Sequence, residues 1–180
     1  MKCSIFAGSS ISTYLLNNIY PNKPLLQNRG EAQTLWSNDK DYLATMIAYR
    51  LNLKGAAVSV NTACSTSLVA VSQACSSLMN FETDVVLAGG VRIEVTDTPG
   101  YHYFEGGIFS SDGHCRAFDK SADGTIFSDG CGVVVLKRLS DAIAAGDNIQ
   151  AVISGYAVNN DGNDKVGFSS PSLSGQSEVI

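Results

Sequence analysis

One cysteine lies where its side chain could act as a nucleophile. Cys64 follows a short segment of alternating polarity, residues 57–61, and precedes a segment with helical periodicity. A cysteine between a strand and a helix is held at the tip of a tight turn, in the arrangement of a nucleophile elbow, and the N–H groups of the helix's first turn point at it. Its neighbours are small enough to leave room for a thioester: Ala63, Ser65, Thr66 and Ser67. We therefore predict that Cys64 accepts acyl groups, a reaction typical of activated thiols.

The remaining cysteines are weaker candidates for chemistry. Cys75 repeats the apolar stripe of the helix that follows Cys64. Cys3 and Cys131 lie in or beside apolar segments of the strand type. Because cysteine is among the residue types most often buried, we predict that these three are core residues.

No metal or nucleotide site is expected. His114 and Cys115 are adjacent in sequence, and adjacent side chains rarely reach the same metal ion. No second cluster of cysteines and histidines accompanies them. His102 lies between two tyrosines and is predicted to be packed or partly exposed. The glycine pairs at 89–90 and 106–107 form neither a GxGxxG nor a GxxxxGK[ST] loop, so we assign them to tight turns and close packing.

Composition excludes several classes of protein. The chain has 180 residues, of which 44% are hydrophobic and 16% charged, so it is one domain or part of one and can bury a core. A net charge of −5 without a Lys/Arg cluster argues against nucleic-acid or anionic-membrane partners. No apolar run approaches the roughly 18 residues that span a bilayer, and no signal-peptide pattern is present. Five cysteines without a CxxC pair favour reduced thiols, so a cytoplasmic location is expected.

The elements that must position Cys64 alternate between strands and helices. Apolar runs and alternation predict strands at residues 3–7, 57–61, 85–90, 133–136 and 149–158. Helical periodicity and capping signals predict helices at residues 12–20, 39–52, 65–80 and 141–145, the last capped by Ser140 and ended by Gly146. Residues 22–37 are predicted to be a polar loop, and residues 159–162 a turn.

This alternation predicts an α/β fold with a covered, mostly parallel sheet. The last two strands are predicted to pair antiparallel, because only a short helix separates them. The run at 133–136 is predicted to be buried. Two helical stripes are predicted to face the core: Leu43, Met46, Ile47 and Leu51 in one helix, and Leu68, Val71, Cys75 and Leu78 in the other.

Several segments, in one order along the chain, resemble the β-ketoacyl synthases, or ketosynthases. Residues 56–70, AAVSVNTACSTSLVA, resemble the active-cysteine segment of that family. Further matching segments lie at residues 38–45, 49–55, 84–90, 111–119, 123–124, 130–139 and 159–162. The residues after Cys64 and the Asn-Asn-Asp-Gly turn resemble ketosynthase domains of modular polyketide synthases or of hybrid polyketide/nonribosomal-peptide synthases.

The resemblance implies a thiolase-like fold, layered α/β/α/β/α and dimeric, of which residues 1–180 are the nucleophile-bearing, N-terminal half. It implies that Cys64 receives an acyl chain from the phosphopantetheine arm of an acyl carrier protein, with its own backbone N–H as an oxyanion-hole donor. A malonyl-type extender then loses CO₂ and attacks this thioester, and no bound cofactor is needed. The strand containing Val58 and Val60 resembles the edge strand through which family dimers pair.

The sequence also departs from the family pattern. The HGTGT-like and NIGH-like motifs that supply two catalytic histidines are missing, as are a lysine, a Gly-Phe-Gly loop and a first strand before Met1. Neither His102 nor His114 lies in such a context, so the resemblance gives them no role. The chain is therefore expected to be a partial ketosynthase domain that can be acylated at Cys64 but does not condense alone.

Two alternatives from other classes stay open. One is a non-catalytic module that only pairs with a partner protein, in which Cys64 never reacts. The other is a cysteine hydrolase, which requires a histidine base near Cys64, and the sequence offers only His102 and His114.

Overall fold

The computed structural model describes residues 1–95, 100–168 and 170–180. Its strands are β1 (Cys3–Ser9), β2 (Ala57–Ser59), β3 (Val85–Arg92) and β4 (Gly130–Lys137). Its α-helices are α1 (Lys23–Arg29), α2 (Glu31–Asn38), α3 (Leu43–Leu51), α4 (Thr66–Met79), α5 (Leu139–Ala145) and α6 (Leu173–Val179). Shorter helical turns lie at Leu15–Ile19, which is π-helical, and at Lys40–Tyr42 and Ala63–Ser65, which are 3₁₀.

The described residues form a four-stranded sheet in the order β2-β1-β3-β4. Strands β1 and β2 are parallel, with Ile5 opposite Ala57 and Ala7 opposite Ser59. The α/β fold with a mostly parallel sheet is thus confirmed. The chain divides into two compact units: the first holds Met1–Ser9, Asp41–Gly90 and Gly132–Ile180, the second Ser10–Lys40 and Val91–Cys131.

In the first unit, β1 is covered on both faces. Its side chains alternate, so that Phe6 packs in one cluster with helix α4 while Ile5 and Ala7 pack in another with helix α3. Five consecutive residues of β1, residues 4–8, are buried. A strand buried on both faces is the expected centre of a parallel sheet, and it provides the rigid base under the turn that carries Cys64.

Both helices that cover β1 use small residues to face it. In α4, Ala70 and Ala74 are completely buried, whereas Leu68 is 75% exposed. In α3, the buried residues are Ala44 and Ala48. Because alanine lets a helix approach a sheet closely, these small residues form much of the buried faces, with Leu78 beside them in α4. The predicted stripes were therefore wrong at Leu68, Met46 and Leu51, which are exposed.

Two predictions about strands near the C-terminus were wrong: the burial of the strand at residues 133–136, and the existence of a strand at residues 149–158. Residues 133–136 do form the predicted strand, within β4, but Val133 and Val135 are exposed because β4 is the outer strand of the described sheet. Residues 149–158 have no regular secondary structure and are exposed throughout. An extended segment becomes a strand only when a neighbour pairs with its backbone, and no strand of the described residues does so here. The predicted antiparallel pair is accordingly not formed.

The predicted loop at 22–37 is instead two short helices. Helix α1 begins at a cap in which Asn22 Oδ1 accepts from the Leu25 N–H at 3.1 Å, and it has a proline in its first turn. Gly30, with φ of 79°, separates α1 from α2. The cap and the proline are helix-start signals that were present in the sequence but outweighed by its polar composition.

Most helix ends agree with the prediction. Helix α3 ends at Asn52 and helix α5 at Gly146, both in the left-handed conformation. The N-cap residue of α5 is Arg138, whose side chain makes no capping hydrogen bond, so the predicted cap at Ser140 was wrong: Ser140 already lies inside the helix. The turn at 159–162 is confirmed, since the Gly162 N–H donates to Asn160 Oδ1 at 2.8 Å.

The second unit is organised around stacked aromatic rings. Tyr101 stacks on Phe109 with 4.7 Å between ring centroids, and Phe109 meets Phe127 edge-on at 5.2 Å. The Tyr101 hydroxyl donates to the Ser110 carbonyl at 2.6 Å, and Phe109 is paired with Thr125 through a parallel bridge. These contacts order a segment that contains many turn residues and little regular secondary structure.

Arg138 ties the start of α5 to the end of α4. Its side chain is only 12% exposed, and its guanidinium donates to the Leu78 carbonyl at 3.0 Å and the Thr83 carbonyl at 2.7 Å. It also forms an ion pair with Asp141 at 2.7 Å and stacks over the Phe81 ring. One side chain therefore donates to two carbonyls, one in the last turn of α4 and one on the connection that follows it, and the Leu78 carbonyl also accepts from the Phe81 N–H at 3.1 Å.

Replacing Arg138 with methionine is expected to lower the free energy of unfolding by about 2 kcal/mol, because the hydrogen bonds of the guanidinium to the Leu78 and Thr83 carbonyls and its ion pair with Asp141 are lost while most of the apolar volume is kept. Urea unfolding measures the change. The matched control is Arg50→Met, which removes an exposed arginine. Equal stabilities of the two variants would contradict the role assigned to Arg138.

Candidate active site around Cys64

Cys64 is the middle residue of the 3₁₀ turn Ala63–Ser65, between β2 and α4, and it is exposed. The predicted strand-turn-helix setting is thus confirmed, with the strand ending two residues earlier than expected, at Ser59. Ala63 has φ of 54°, a left-handed conformation that costs a residue with a side chain about 1–2 kcal/mol. The strained residue of the turn is therefore the one before the cysteine.

The backbone of the turn leaves the N–H groups of Ala63 and Cys64 without acceptors among the described residues. The Ser65 N–H donates to the Thr62 carbonyl at 3.4 Å, and the Thr66 N–H donates to the Ala63 carbonyl. The N–H of Cys64 has no acceptor among the residues that the structure describes. An unpaired N–H next to an exposed thiol can donate to the carbonyl oxygen of a bound thioester, which is the geometry of an oxyanion-hole donor.

Hydroxyl groups close the same turn. The Thr62 N–H donates to Thr66 Oγ1 at 3.0 Å. The Ser65 hydroxyl lies 2.9 Å from the Thr62 carbonyl and 3.0 Å from Thr62 Oγ1. These contacts hold the ends of the turn on either side of Cys64.

Two glycines of the sheet, Gly8 in β1 and Gly90 in β3, lie beneath the first residues of α4. A Cβ placed on Gly8 would lie 2.1 Å from the Val60 carbonyl oxygen and 2.2 Å from the Thr66 methyl. A Cβ on Gly90 would be in ordinary contact, 3.5 Å from Ser67 Cβ. Only glycine at position 8 allows the start of α4 to sit this close to β1. The sequence predicted a strand that ends at residue 7 and gave neither Gly8 nor Thr66 this role; the signal for it was a glycine directly after an apolar strand.

The other cysteines differ in exposure. Cys3 and Cys75 are partly buried, and burial raises the pKa of both thiols. Burial disfavours the thiolate, which suits the structural role predicted for them. Cys131 is exposed, so its assignment to the core was wrong, because β4 is an outer strand. Cys115 is exposed as well.

Both histidines belong to the second unit, whereas Cys64 belongs to the first. His102 is exposed. His114 is exposed too, and its Nδ1 lies 3.0 Å from the Asp112 carbonyl oxygen. The His114 ring is therefore oriented by Asp112, a residue of its own loop.

That loop is centred on the Asp112 carboxylate. Arg116 donates to both of its oxygens, at 3.0 and 2.7 Å, and the His114 N–H donates to it at 3.1 Å. The hydrogen bonds from Arg116, with a further one from Ser110, hold the pKa of Asp112 well below its usual range. A carboxyl with a lowered folded-state pKa stabilises the fold above its unfolded pKa of about 3.9, and this contribution is lost as pH falls from there through the folded value.

An Asp112→Asn variant is expected to lose this pH dependence. At pH 6 it should unfold at lower urea than the parent chain, and the difference should shrink as pH falls below about 4, because the Asp112 carboxyl then becomes protonated in the unfolded parent while it stays ionised in the folded one. Urea midpoints between pH 6 and pH 3 measure the effect. The control is Glu105→Gln, which neutralises an exposed carboxylate. A difference that stays constant with pH would contradict the assignment.

The predicted dimer strand occupies an edge of the sheet. Strand β2 is last in the order β2-β1-β3-β4, so one side of its backbone is unpaired among the described strands. Val58 is 38% exposed, whereas Val60 is 4% exposed and packs in the core with Phe6. Of the two valines, only Val58 has an exposed side chain.

The part of the chain that the structure describes contains no helix long and apolar enough to cross a membrane.

Comparison with known protein families and sequences gives consistent matches. Residues 1–142 match the family described as "Beta-ketoacyl synthase, N-terminal domain". The chain is 47% identical over 182 aligned residues to a component of the phenolphthiocerol/phthiocerol polyketide synthase of Mycobacterium tuberculosis, covering 98% of the chain and 12% of that protein. It is 45% identical to the polyketide synthase PksN of Bacillus subtilis, covering 77% of the chain and 2% of that protein.

Solved structures that are similar to the chain include ketosynthases of polyketide synthases. Ketosynthase twelve of the bacillaene polyketide synthase of Bacillus amyloliquefaciens superposes with a TM-score of 0.87 at 36% identity, covering 99% of the chain and 31% of that structure. The module 1 ketosynthase of the same organism's bacillaene synthase gives a TM-score of 0.80 at 38% identity, covering 99% and 32%. The predicted thiolase-like fold is thereby confirmed. The chain spans about a third of these ketosynthase structures and a smaller part of the synthases.

Proposed function

The chain belongs to the β-ketoacyl synthase family, and from that membership we propose that residues 1–180 are the nucleophile-bearing part of a polyketide-synthase ketosynthase domain. Its function is to take an acyl chain onto Cys64 as a thioester for decarboxylative condensation, in biosynthesis of the polyketide or fatty-acid type. The observation that carries this proposal is the exposed thiol of Cys64 beside its own unpaired backbone N–H, on a turn at the start of α4.

The first half-reaction is transthioesterification. The Cys64 thiolate attacks the carbonyl carbon of an acyl thioester, and the negative charge that develops on the carbonyl oxygen is stabilised by the Cys64 N–H. The intermediate then collapses with cleavage of the bond to the carrier's sulfur, which leaves as a thiolate and takes up a proton. The product is acyl-Cys64, formed without net oxidation or reduction.

In the second half-reaction, a malonyl-type thioester loses CO₂, and the resulting carbanion attacks the acyl-Cys64 carbonyl. A carbon–carbon bond forms, the carbon–sulfur bond to Cys64 breaks, and the free thiolate returns. This step needs positioned proton donors or oxyanion ligands besides Cys64. In the family, two histidines in motifs that this chain lacks fill that role. We therefore propose that the 180 residues alone are acylated but do not condense.

The partners follow from this chemistry. The acyl and malonyl-type groups arrive on the phosphopantetheine arm of an acyl carrier protein, so the domain itself needs no bound cofactor. The exposed Val58 and the unpaired edge of β2 support a homodimer that extends the sheet across two copies. We place this activity in the cytoplasm, where free cysteines stay reduced.

Acyl loading of the complete protein that carries this chain tests the proposal. The protein is incubated with an acyl thioester of a small thiol, digested, and mapped by mass spectrometry, first alone and then with a malonyl-loaded carrier protein. We expect an acyl adduct on the peptide containing Cys64 that disappears, with release of a β-ketoacyl product, when the malonyl carrier is added. An adduct elsewhere would overturn the assignment of Cys64. Absence of any adduct would favour the non-catalytic module, and release of free acid without condensation would favour the hydrolase.

A further inference from the structure

Thr66 joins the Cys64 turn to strand β1 below it. Its hydroxyl oxygen accepts from the Thr62 N–H at 3.0 Å, which closes a ring around the three residues of the turn. Its methyl lies against β1, so closely that a Cβ on Gly8 would be 2.2 Å from it. The hydroxyl and the methyl are attached to the same carbon, so the position of the turn relative to β1 depends on this side chain.

The turn that Thr66 supports is exposed and strained. The residues from Thr62 to Ser65 are exposed, and Ala63 has the unfavourable φ of 54°. Ser65, at the N-terminus of α4, makes no capping hydrogen bond to that helix, since its hydroxyl is directed back to Thr62. An exposed, strained turn stays in one conformation only if its surroundings determine it.

The direction of the Cys64 N–H depends on this ring. Cys64 lies in the middle of the segment between Thr62 and Thr66, and its N–H is not fixed by a hydrogen bond of its own among the described residues. If the contact from Thr62 to Thr66 opens, Ala63 can relax from its left-handed conformation, and the plane of the peptide bond between Ala63 and Cys64 rotates with it. The donor would then point away from the acyl oxygen.

We propose that Thr66 is a positioning residue for acyl transfer, whose hydroxyl holds the Cys64 backbone N–H toward the acyl oxygen while its methyl anchors the turn on β1. This inference rests on the proposed function, because it assumes that Cys64 is acylated. It assigns to Thr66 no contact with the substrate. Its effect operates through the turn alone.

Two substitutions test the hydroxyl and the methyl of Thr66 separately. Thr66→Val keeps a methyl toward Gly8 and removes the hydroxyl, whereas Thr66→Ser keeps the hydroxyl and removes the methyl. Because the Thr62 N–H is at the surface, water can replace the lost acceptor in the valine variant, so the fold is expected to survive. A Cys64 N–H that points away from the acyl oxygen, by contrast, slows the acylation of Cys64 directly.

The test compares two reactions of Cys64 in the complete protein. Acylation by a small acyl thioester forms an oxyanion, whereas alkylation by iodoacetamide does not. We expect Thr66→Val to slow acylation of Cys64 about tenfold and to change its alkylation less than twofold, and Thr66→Ser to restore most of the acylation rate. Alkylation of the exposed Cys115 and Cys131, measured in the same digests, provides an internal reference.

The outcomes distinguish this inference from the proposed function. If the parent protein is not acylated at Cys64, the proposed function fails, and this inference fails with it. If the parent is acylated and Thr66→Val reacts equally fast, only the role of Thr66 is overturned. Equal losses of acylation and alkylation would also overturn it, because they would indicate a general disturbance of the turn. A serine variant as slow as the valine variant would overturn the role of the hydroxyl and assign the effect to the methyl.

Discussion

The Cys64→Ala variant of the complete protein is expected to form no detectable acyl adduct, the largest effect of any single substitution considered for this chain. Alanine removes the only atom at the turn that can form the thioester bond, and the exposed backbone N–H that remains stabilises an oxyanion but cannot attack a carbonyl. Intact-protein mass spectrometry after incubation with an acyl thioester measures the loss directly. The fold should be unaffected, because the Cys64 side chain is exposed.

Two control variants and one conservative variant test whether acylation depends on the thiol of Cys64 in particular. Cys115→Ala and Cys131→Ala remove other exposed thiols, and both should be acylated like the parent. Cys64→Ser keeps a hydroxyl at the same place, but a hydroxyl without an activating base is a far weaker nucleophile than a thiol, so loading should fall at least about 100-fold. Acylation that persists in Cys64→Ala and disappears in Cys115→Ala would refute the assignment of the nucleophile.

Local signals in the sequence were enough to find Cys64 and its setting. The change from alternating to helical periodicity at residues 61–66 depends only on neighbouring residues, and the structure has β2, a 3₁₀ turn and α4 in that order. The ends of α3 and α5 were also predicted, because Asn52 and Gly146 are residues that adopt the left-handed conformation readily. Features determined within one turn of the chain are those that a sequence reveals.

Features that depend on distant partners were not predicted. The apolar residues 149–158 have strong strand propensity, yet no strand of the described residues pairs with them. Likewise, the valines of β4 match a buried strand in composition but lie at the outside of the described sheet. In α4 the predicted stripe was right at Leu78 and wrong at Leu68, because much of the buried face consists of Ala70 and Ala74, whose small size is favourable only against the close surface of β1.

The same close packing makes Gly8 critical, and Gly8→Ala is expected to lower the free energy of unfolding by about 3 kcal/mol. The new Cβ would lie 2.1 Å from the Val60 carbonyl oxygen, and Val60 itself is held beside β1 by the hydrogen bond from its N–H to the Ala7 carbonyl at 2.9 Å. It would also lie 2.2 Å from the Thr66 methyl. Either β1 must separate from the residues after β2, or the start of α4 must move outward.

Because the start of α4 carries Thr66 directly after the Cys64 turn, Gly8→Ala should also slow acylation of Cys64 at urea concentrations where the protein remains folded. Gly132→Ala is the matched control: Gly132 lies in β4, and a Cβ there would meet nothing within 4 Å. Urea unfolding and timed acyl loading of the two variants, compared with the parent, measure both effects. If Gly8→Ala were as stable and as reactive as Gly132→Ala, the contact between β1 and the base of the Cys64 turn could not be what positions the nucleophile. A variant that lost stability but kept its reactivity while folded would mean that β1 supports the fold without orienting the thiol.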